Sequence, residues 1–251
     1  MFYRFIIYQV LLGCLFTSHL VFSFENPLTV SVPSFAPFYF ISDDEECQGV
    51  AVAALQTITA KIAEPTKMFF LPYARIIHSL EYGQLDLALV FKNNYLANSV
   101  DYIGPVSNSK VVVLTHLSQP INQYSELHKL NTIAVIRGAK FEDKFDNDNT
   151  LNKFPVESYN QAIKMFKLGR VDAVIGSLVG LDYEMRAQNL DVSILDKSFQ
   201  LGEKEWWLHL SKNSSYQYLL PQLTLAVDKN YQPDFIYQTY LKHIKNCQAK
   251  L

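Results

Sequence analysis

The sequence predicts an α/β protein of two similar lobes, each a mostly parallel sheet flanked by helices, joined by two hinge crossings. Three observations lead there. Strand-like and helix-like segments alternate along most of the chain, the pattern of parallel sheets with helical crossovers. The stretch Leu80-Glu81-Tyr82-Gly83-Gln84-Leu85-Asp86-Leu87-Ala88 is echoed by Phe166-Lys167-Leu168-Gly169-Arg170-Val171-Asp172-Ala173-Val174. Each reads as a helix, a Gly stop, a spacer, an apolar residue, Asp and an apolar strand. The C-terminal segments have no partner sheet of their own, so the chain is expected to return to the first lobe after completing the second. Crossings near Thr115 and Lys204 then make a hinge. A cleft on such a hinge is a clam-shell that closes by rigid-body motion.

The elements follow in order. Residues 28–32 alternate apolar and small polar side chains and read as a strand. Ser34-Phe35-Ala36-Pro37-Phe38-Tyr39-Phe40 is an aromatic turn, and residues 43–46 are an acidic loop. Residues 49–62 carry apolar residues at helical spacing, and 67–71 form a short strand. Pro72 opens a helix through Leu80, because proline suits a first helical turn. Gly83 stops it, since glycine readily supplies the left-handed residue that ends a helix. Strands follow at 85–91 and 110–115, separated by the polar, loop-like stretch 93–102. In the second half, 132–136 is a strand, 142–153 a charged, Asn-rich surface excursion, 158–168 a helix, 171–175 a strand and 178–188 a helix. In the tail, 205–211 is strand-like, and 216–227 and 234–244 look helical. The first lobe is thus expected to comprise 24–114 and 205–251, and the second 115–204.

Residues 1–23 have the layout of a signal peptide: Arg4 in a short n-region, an apolar run over 5–16, and small residues before an expected cut after Ser23. Gln9 interrupts the run, which is short for a membrane span. Leu11-Leu12-Gly13-Cys14 has the letters of a lipobox, but the apolar stretch ahead of Cys14 is short and continues past it. The expected mature chain of about 228 residues can build two modest cores. Its formal charge changes from −2 to about −3 when Arg4 leaves, and there is no basic stripe, which argues against a nucleic-acid partner. Aromatic residues make up 14% of the chain, enough for core and pocket walls alike. Cys47 and Cys247 remain, one near each end. An exported compartment permits a disulfide between them, and the sequence leaves open whether it forms.

Several features carried by these elements resemble one family. They are the aromatic turn ending Pro37-Phe38-Tyr39-Phe40, the Gly49 helix, Gly83-Gln84-Leu85-Asp86, Val100-Asp101-Tyr102 with Pro105, the segment 135–138, Gly169-Arg170-Val171-Asp172-Ala173, and the strand 207–212 ending on a lysine. In order and spacing they resemble the bacterial extracellular solute-binding proteins of family 3, the binding components of polar amino-acid ABC transporters. The resemblance covers nearly all of the expected mature chain. It implies a type II periplasmic-binding-protein fold, a periplasmic monomer, a small-molecule ligand, no cofactor, and an inner-membrane permease or a receptor as partner.

Members that read amino acids usually hold the α-carboxylate with an Arg in a Thr-x-x-Arg segment. Here the segment is Phe91-Lys92-Asn93-Asn94-Tyr95-Leu96-Ala97, with no Arg. They usually hold the α-ammonium with an Asp at the end of the second echo strand, and here that place falls on Gly176-Ser177. A zwitterion in a cleft needs both ends paired, because each unpaired buried charge costs several kcal/mol. The ligand is therefore expected to be small, polar and anionic rather than a standard amino acid. Arg75, in Pro72-Tyr73-Ala74-Arg75, begins a helix that faces the cleft in this fold. Its guanidinium suits a carboxylate or phosphate, as it would a surface ion pair. Arg137 stands at the second lobe's first strand-to-helix turn, where backbone N–H groups favour an anion; it also suits a solvated loop. Phe38, Tyr39, Tyr73 and Phe91 are candidate walls from the first lobe, with Gly138 and Ser177 from the second. Lys92 is a further charge, expected to face solvent.

The rivals are an enzyme and a sensor. Dehydratases acting on prephenate-like acids resemble this fold, but catalysis needs an acid or base placed in the cleft. His78 and Glu81 share a helix with no visible partner, and no nucleophile elbow, phosphate loop or metal cluster is present in the sequence. A binding protein without enzymatic activity is expected. A sensor reporting to a membrane receptor would read the same way.

Overall fold

A computed structural model describes residues 26–42 and 47–247. The expected signal peptide, Cys14 and the acidic loop 43–46 lie outside the described residues.

The strands are β1 (Leu28–Pro33), β2 (Thr66–Leu71), β3 (Leu87–Phe91), β4 (Val100–Thr115), β5 (Ile133–Ile136), β6 (Lys153–Val156), β7 (Ala173–Ser177) and β8 (Phe199–Ser211). The helices are α1 (Val50–Thr59), α2 (Tyr73–Glu81), α3 (Asp143–Asn147), α4 (Tyr159–Lys167), α5 (Leu178–Ala187), α6 (Leu220–Asn230) and α7 (Phe235–Asn246). Short 3₁₀ turns complete the connections.

The strands join in the order β2-β1-β3-β8-β4-β7-β5-β6. At one end β1 pairs in parallel with β2 and β3; at the other β5 pairs in parallel with β6 and β7. These are the two lobes. The middle is antiparallel, where β8 runs against β3 and β4, and β4 runs against β7. Thus β4 and β8 are long strands shared between the lobes. Residues 111–115 of β4 pair with β7, whereas Phe91 to Leu87 of β3 pair with Trp206 to Leu210 of β8. The β4–β8 ladder has register shifts at Tyr102/Gly104, Pro105/Ser107 and Val111/Val112. Bulges of this kind bend a strand and raise its twist.

Each lobe ties its central helix to its sheet with the same device. Gly83 and Gly169 end α2 and the turn after α4 with φ of +68° and +65°. The following aspartates then reach back to a neighbouring strand. Asp86 Oδ2 accepts from Thr29 N (2.9 Å) and Thr29 Oγ1 (2.6 Å), and Oδ1 accepts from Ser214 Oγ (2.6 Å). Asp172 Oδ2 accepts from Asn131 N (2.5 Å) and Thr132 N (3.0 Å) at the head of β5. The echo in the sequence is a repeated strand-start clamp.

The structure adds three things to the sequence expectations. β4 begins at Val100, inside the stretch read as loop-like. The short α3 lies inside the predicted surface excursion, and β6 begins at its last residue, Lys153. β8 begins at Phe199 rather than 205. In the first lobe, α1 packs against α6 and α7. Cys47, just before α1, is bonded to Cys247, the C-terminal cap of α7, with Cα atoms 5.8 Å apart. Among the described residues no helix is long and apolar enough to cross a membrane.

Candidate ligand-binding cleft

The cleft lies where the C-terminal ends of β1 and β3 meet those of β5 and β7, beside Trp206 on β8. Its centre is aromatic. Trp206 packs on Phe38 (ring centroids 4.8 Å) and Phe91 (4.6 Å), with Phe35 edge-on to Phe38 (5.6 Å). The second lobe inserts Tyr159, 5.6 Å from Phe35 and 6.4 Å from Phe38, and Phe141 approaches Phe91 at 6.4 Å. Edge-on and tilted pairs of this kind are the favoured aromatic geometries. Only about 10 Å³ remains inside, bounded also by Tyr73, Ile136 and Ala139, and none of the side chains around it is charged. The lobes are shut on their own rings.

Polar groups punctuate this apolar centre. Trp206 Nε1 donates to Ser109 Oγ at 2.9 Å. The Tyr73 hydroxyl is buried without a hydrogen-bond partner; the Phe91 backbone bears on it but makes no bond. Burial drives the Tyr73 and Tyr159 pKa values well above the usual phenol range. Ser177 N donates to the Tyr159 hydroxyl at 2.8 Å, and Ser177 Oγ is buried without a partner. Tyr159 owes its place to two glycines. A Cβ on Gly176 would stand 2.2 Å from the Tyr159 ring, and one on Gly180 2.3 Å. The position where the family resemblance puts an ammonium-binding Asp is therefore closed over by a tyrosine ring.

The lobes touch again at Gly138. Its φ is +78°, and a Cβ there would lie 3.1 Å from the Ala74 Cα. Asn93 Nδ2 donates to the Gly138 carbonyl oxygen at 3.4 Å across the cleft.

Of the residues singled out from sequence, Phe38, Tyr73 and Phe91 meet in the central cluster, with Ser177 against Tyr159 and Gly138 at the lobe contact. Tyr39 instead stacks on Phe70 of β2 at 3.7 Å. Arg75 is exposed and makes no hydrogen bond or ion pair with a described residue. Arg137 is also exposed and bonds Glu157 at 2.5 Å. Lys92 lies over the Trp207 ring, 3.8 Å from its centroid. His78 packs on Tyr82 (4.6 Å), and Glu81 accepts from the Tyr95 hydroxyl at 2.9 Å. Sequence reasoning missed Phe35, Phe141, Tyr159 and Trp206 as walls. Phe35 in the aromatic turn and the Trp206-Trp207 pair were the available signals. Among the described residues no group of three or more His, Cys, Asp or Glu is placed to hold a metal ion. A larger cavity of about 570 Å³ lies outside the cleft, between α5 and α7.

No protein-family model matches the sequence, and no curated protein matches it. Solved structures do match the fold. A mutant of the arginine-binding protein ArgBP from T. maritima superposes with a TM-score of 0.69 at 16% identity, over 87% of this chain and 95% of that one. The GluR0 ligand-binding core from Nostoc punctiforme, in complex with L-glutamate, gives 0.64 at 16% identity, over 86% and 98%. The Bordetella pertussis BvgS VFT2 domain gives 0.65 at 17% identity, over 86% and 92%. The chain therefore has the two-lobed fold of the periplasmic binding proteins. The resemblance to family 3 read from its sequence holds at the level of fold.

Proposed function

We propose that this protein is an exported, periplasmic solute-binding protein without enzymatic activity, monomeric, which captures a small anionic molecule between its lobes and presents the closed form to an ABC-type permease. The observation that carries this reading is the shared pair β4 and β8. Two strands are the route between lobes that otherwise meet face to face across a cleft. Solved structures of this fold include the substrate-binding protein of an amino acid ABC transporter. In this reading the lobes divide as 24–114 with 205–251, and 115–204. Phe38, Tyr73 and Phe91 form the first lobe's wall, and Gly138 and Ser177 belong to the closing lobe. Arg75 is the unpaired cation one residue from the Ala74–Gly138 contact, so it is the proposed anchor for the anion. Arg137 is already engaged by Glu157. Closure is favoured only by as much as the ligand prefers the closed state.

The test is a thermal-stability screen of the mature chain, stripped by unfolding and refolding, against amino acids and organic acids. A true ligand at about 100 times its dissociation constant raises stability by roughly 2.7 kcal/mol. Arg75→Ala should weaken an anionic hit about tenfold or more while leaving the unliganded melting temperature almost unchanged. Unchanged affinity removes Arg75 as the anchor, and turnover of the hit overturns the binding-protein reading.

Sensing is the second reading, favoured by a cleft already shut on its own rings. Cross-linking to membranes separates the two: a permease among the products supports transport, and a receptor supports sensing.

A further inference from the structure

Another pocket opens at the edge of the same cleft, and Arg75 is not among the residues that line it. It measures about 250 Å³ and is bounded by Asn93 and Asn94 after β3, by Lys140, Asp143 and Asp146 of the second lobe, and by Lys204 on β8. Both lobes and the shared strand contribute to it. Lys140 and Lys204 are half-buried, and neither makes a hydrogen bond or ion pair with a described residue. A partly desolvated cation held without a hydrogen bond is costly, and the two that line this cavity, beside Asp143 and Asp146, can each receive a ligand carboxylate oxygen. Asp146 stands among them. Its carboxylate accepts from Phe141 N at 3.0 Å, and burial pushes its pKa up against the opposing pull of Lys140, Lys204 and Lys153. A carboxylate in that position welcomes a hydrogen-bond donor on the ligand. Asn93 is almost wholly buried, and its Nδ2 makes only the long bond to Gly138.

We propose that this pocket, held by Lys140 and Lys204 with Asp146 facing them, binds a small carboxylate that also carries a hydrogen-bond donor, such as a hydroxy acid. The inference rests on the solute-binding reading but gives the ligand's anionic end an anchor other than Arg75, so the Arg75→Ala and the Lys140→Ala with Lys204→Ala variants decide between the two. Because the pocket draws on both lobes, its occupation stabilises their closed arrangement. The charge partners missing from the 91–97 segment and from Gly176-Ser177 are then supplied by other elements.

The test is an amide NMR titration of the mature protein with glycolate, with acetate (no donor) and ethanolamine (no carboxylate) as controls. Glycolate should shift the amides of 93–95, 140–147 and 204 in one saturable process. Acetate should bind more weakly and ethanolamine not at all. Lys140→Ala with Lys204→Ala should lower glycolate affinity about tenfold or more, while Lys140→Arg with Lys204→Arg should retain most of it. No saturable shift in this region, or affinity unchanged in the double alanine variant with an unaltered melting temperature, overturns the pocket. That result leaves the solute-binding reading standing if the metabolite screen yields a ligand. Glycolate bound here with affinity unchanged in Arg75→Ala upholds the pocket and removes Arg75 as the anchor.

Discussion

His209 sits on β8 between β3 and β4, at the centre of the sheet and fully buried. Its Nδ1 donates to the Trp207 carbonyl oxygen at 2.8 Å, and burial pushes its pKa down from 6.5 to about 4. The unfolded chain therefore binds a proton between about pH 6.5 and 4 that the folded protein refuses. Stability is unaffected by this group above pH 6.5 and falls as pH drops through that window, by on the order of 3 kcal/mol in all. Urea unfolding of the mature protein at stepped pH should show this slope, and His209→Gln should flatten it. An equal slope in the variant would assign the pH dependence elsewhere. Single residues also show where sequence falls short. Arg75 and Arg137 carry the same chemistry in the letters, each near the start of a helix or turn. What separates them is Glu157, which folding brings to Arg137 across β5–β6 and which nothing brings to Arg75.

Elements were legible where the backbone itself demands a residue type. Gly83 and Gly169 were readable because φ near +65° is strained for other side chains. Asp86 and Asp172 stood out in the echo, but their partners, Thr29 and Ser214 for one and Asn131 and Thr132 for the other, are distant in sequence and brought to them only by folding. The missed elements lack such demands. The part of β4 before Lys110 contains Gly104, Pro105, Ser107, Asn108 and Ser109, poor strand formers held in place by pairing with β8. β6 carries Pro155, which a strand tolerates at a sheet edge, and β6 is the last strand in the sheet. Tyr159 and Trp206 were not legible as cleft walls because their neighbours come from distant strands and depend on register. The seat of Tyr159 gives an element-scale prediction. Gly176→Ala places a Cβ 2.2 Å from a buried ring that has nowhere to move. Overpacking of this kind costs about 1–3 kcal/mol. Denaturant unfolding should show that loss, and Tyr159→Val in the same chain should restore part of it, since contacting sites do not add independently. Equal losses in the single and double variants would mean that the ring does not set the cost.

At the scale of the whole molecule, the repeat Gly-x-x-Asp announced two lobes, and the orphaned tail announced the return to the first. Why the cleft is shut could not be read, because it depends on how two separately folded faces meet. The same scale explains the disulfide. Cys47 and Cys247 are 200 residues apart, and the whole second lobe with both shared strands lies between them. The bond therefore joins the two separated pieces of the first lobe, fixing α7 beside α1 whatever the second lobe does. Tyr240 on α7 donates to Asp182 on α5, which also holds Arg186 through bonds of 2.7 and 3.1 Å. Anchoring α7 thus anchors one side of a contact between lobes as well. Loop closure over so long a span sets an upper bound of about 5 kcal/mol on the stabilisation, and losing a native bond typically costs about 2–5 kcal/mol. Cys47→Ser with Cys247→Ser should lower the denaturant midpoint accordingly, and reducing agent should shift the native protein to the same midpoint without affecting the variant. A midpoint unmoved by either change would show that the packing of α1 on α7 holds the first lobe together unaided, and that the cross-link adds nothing to the equilibrium.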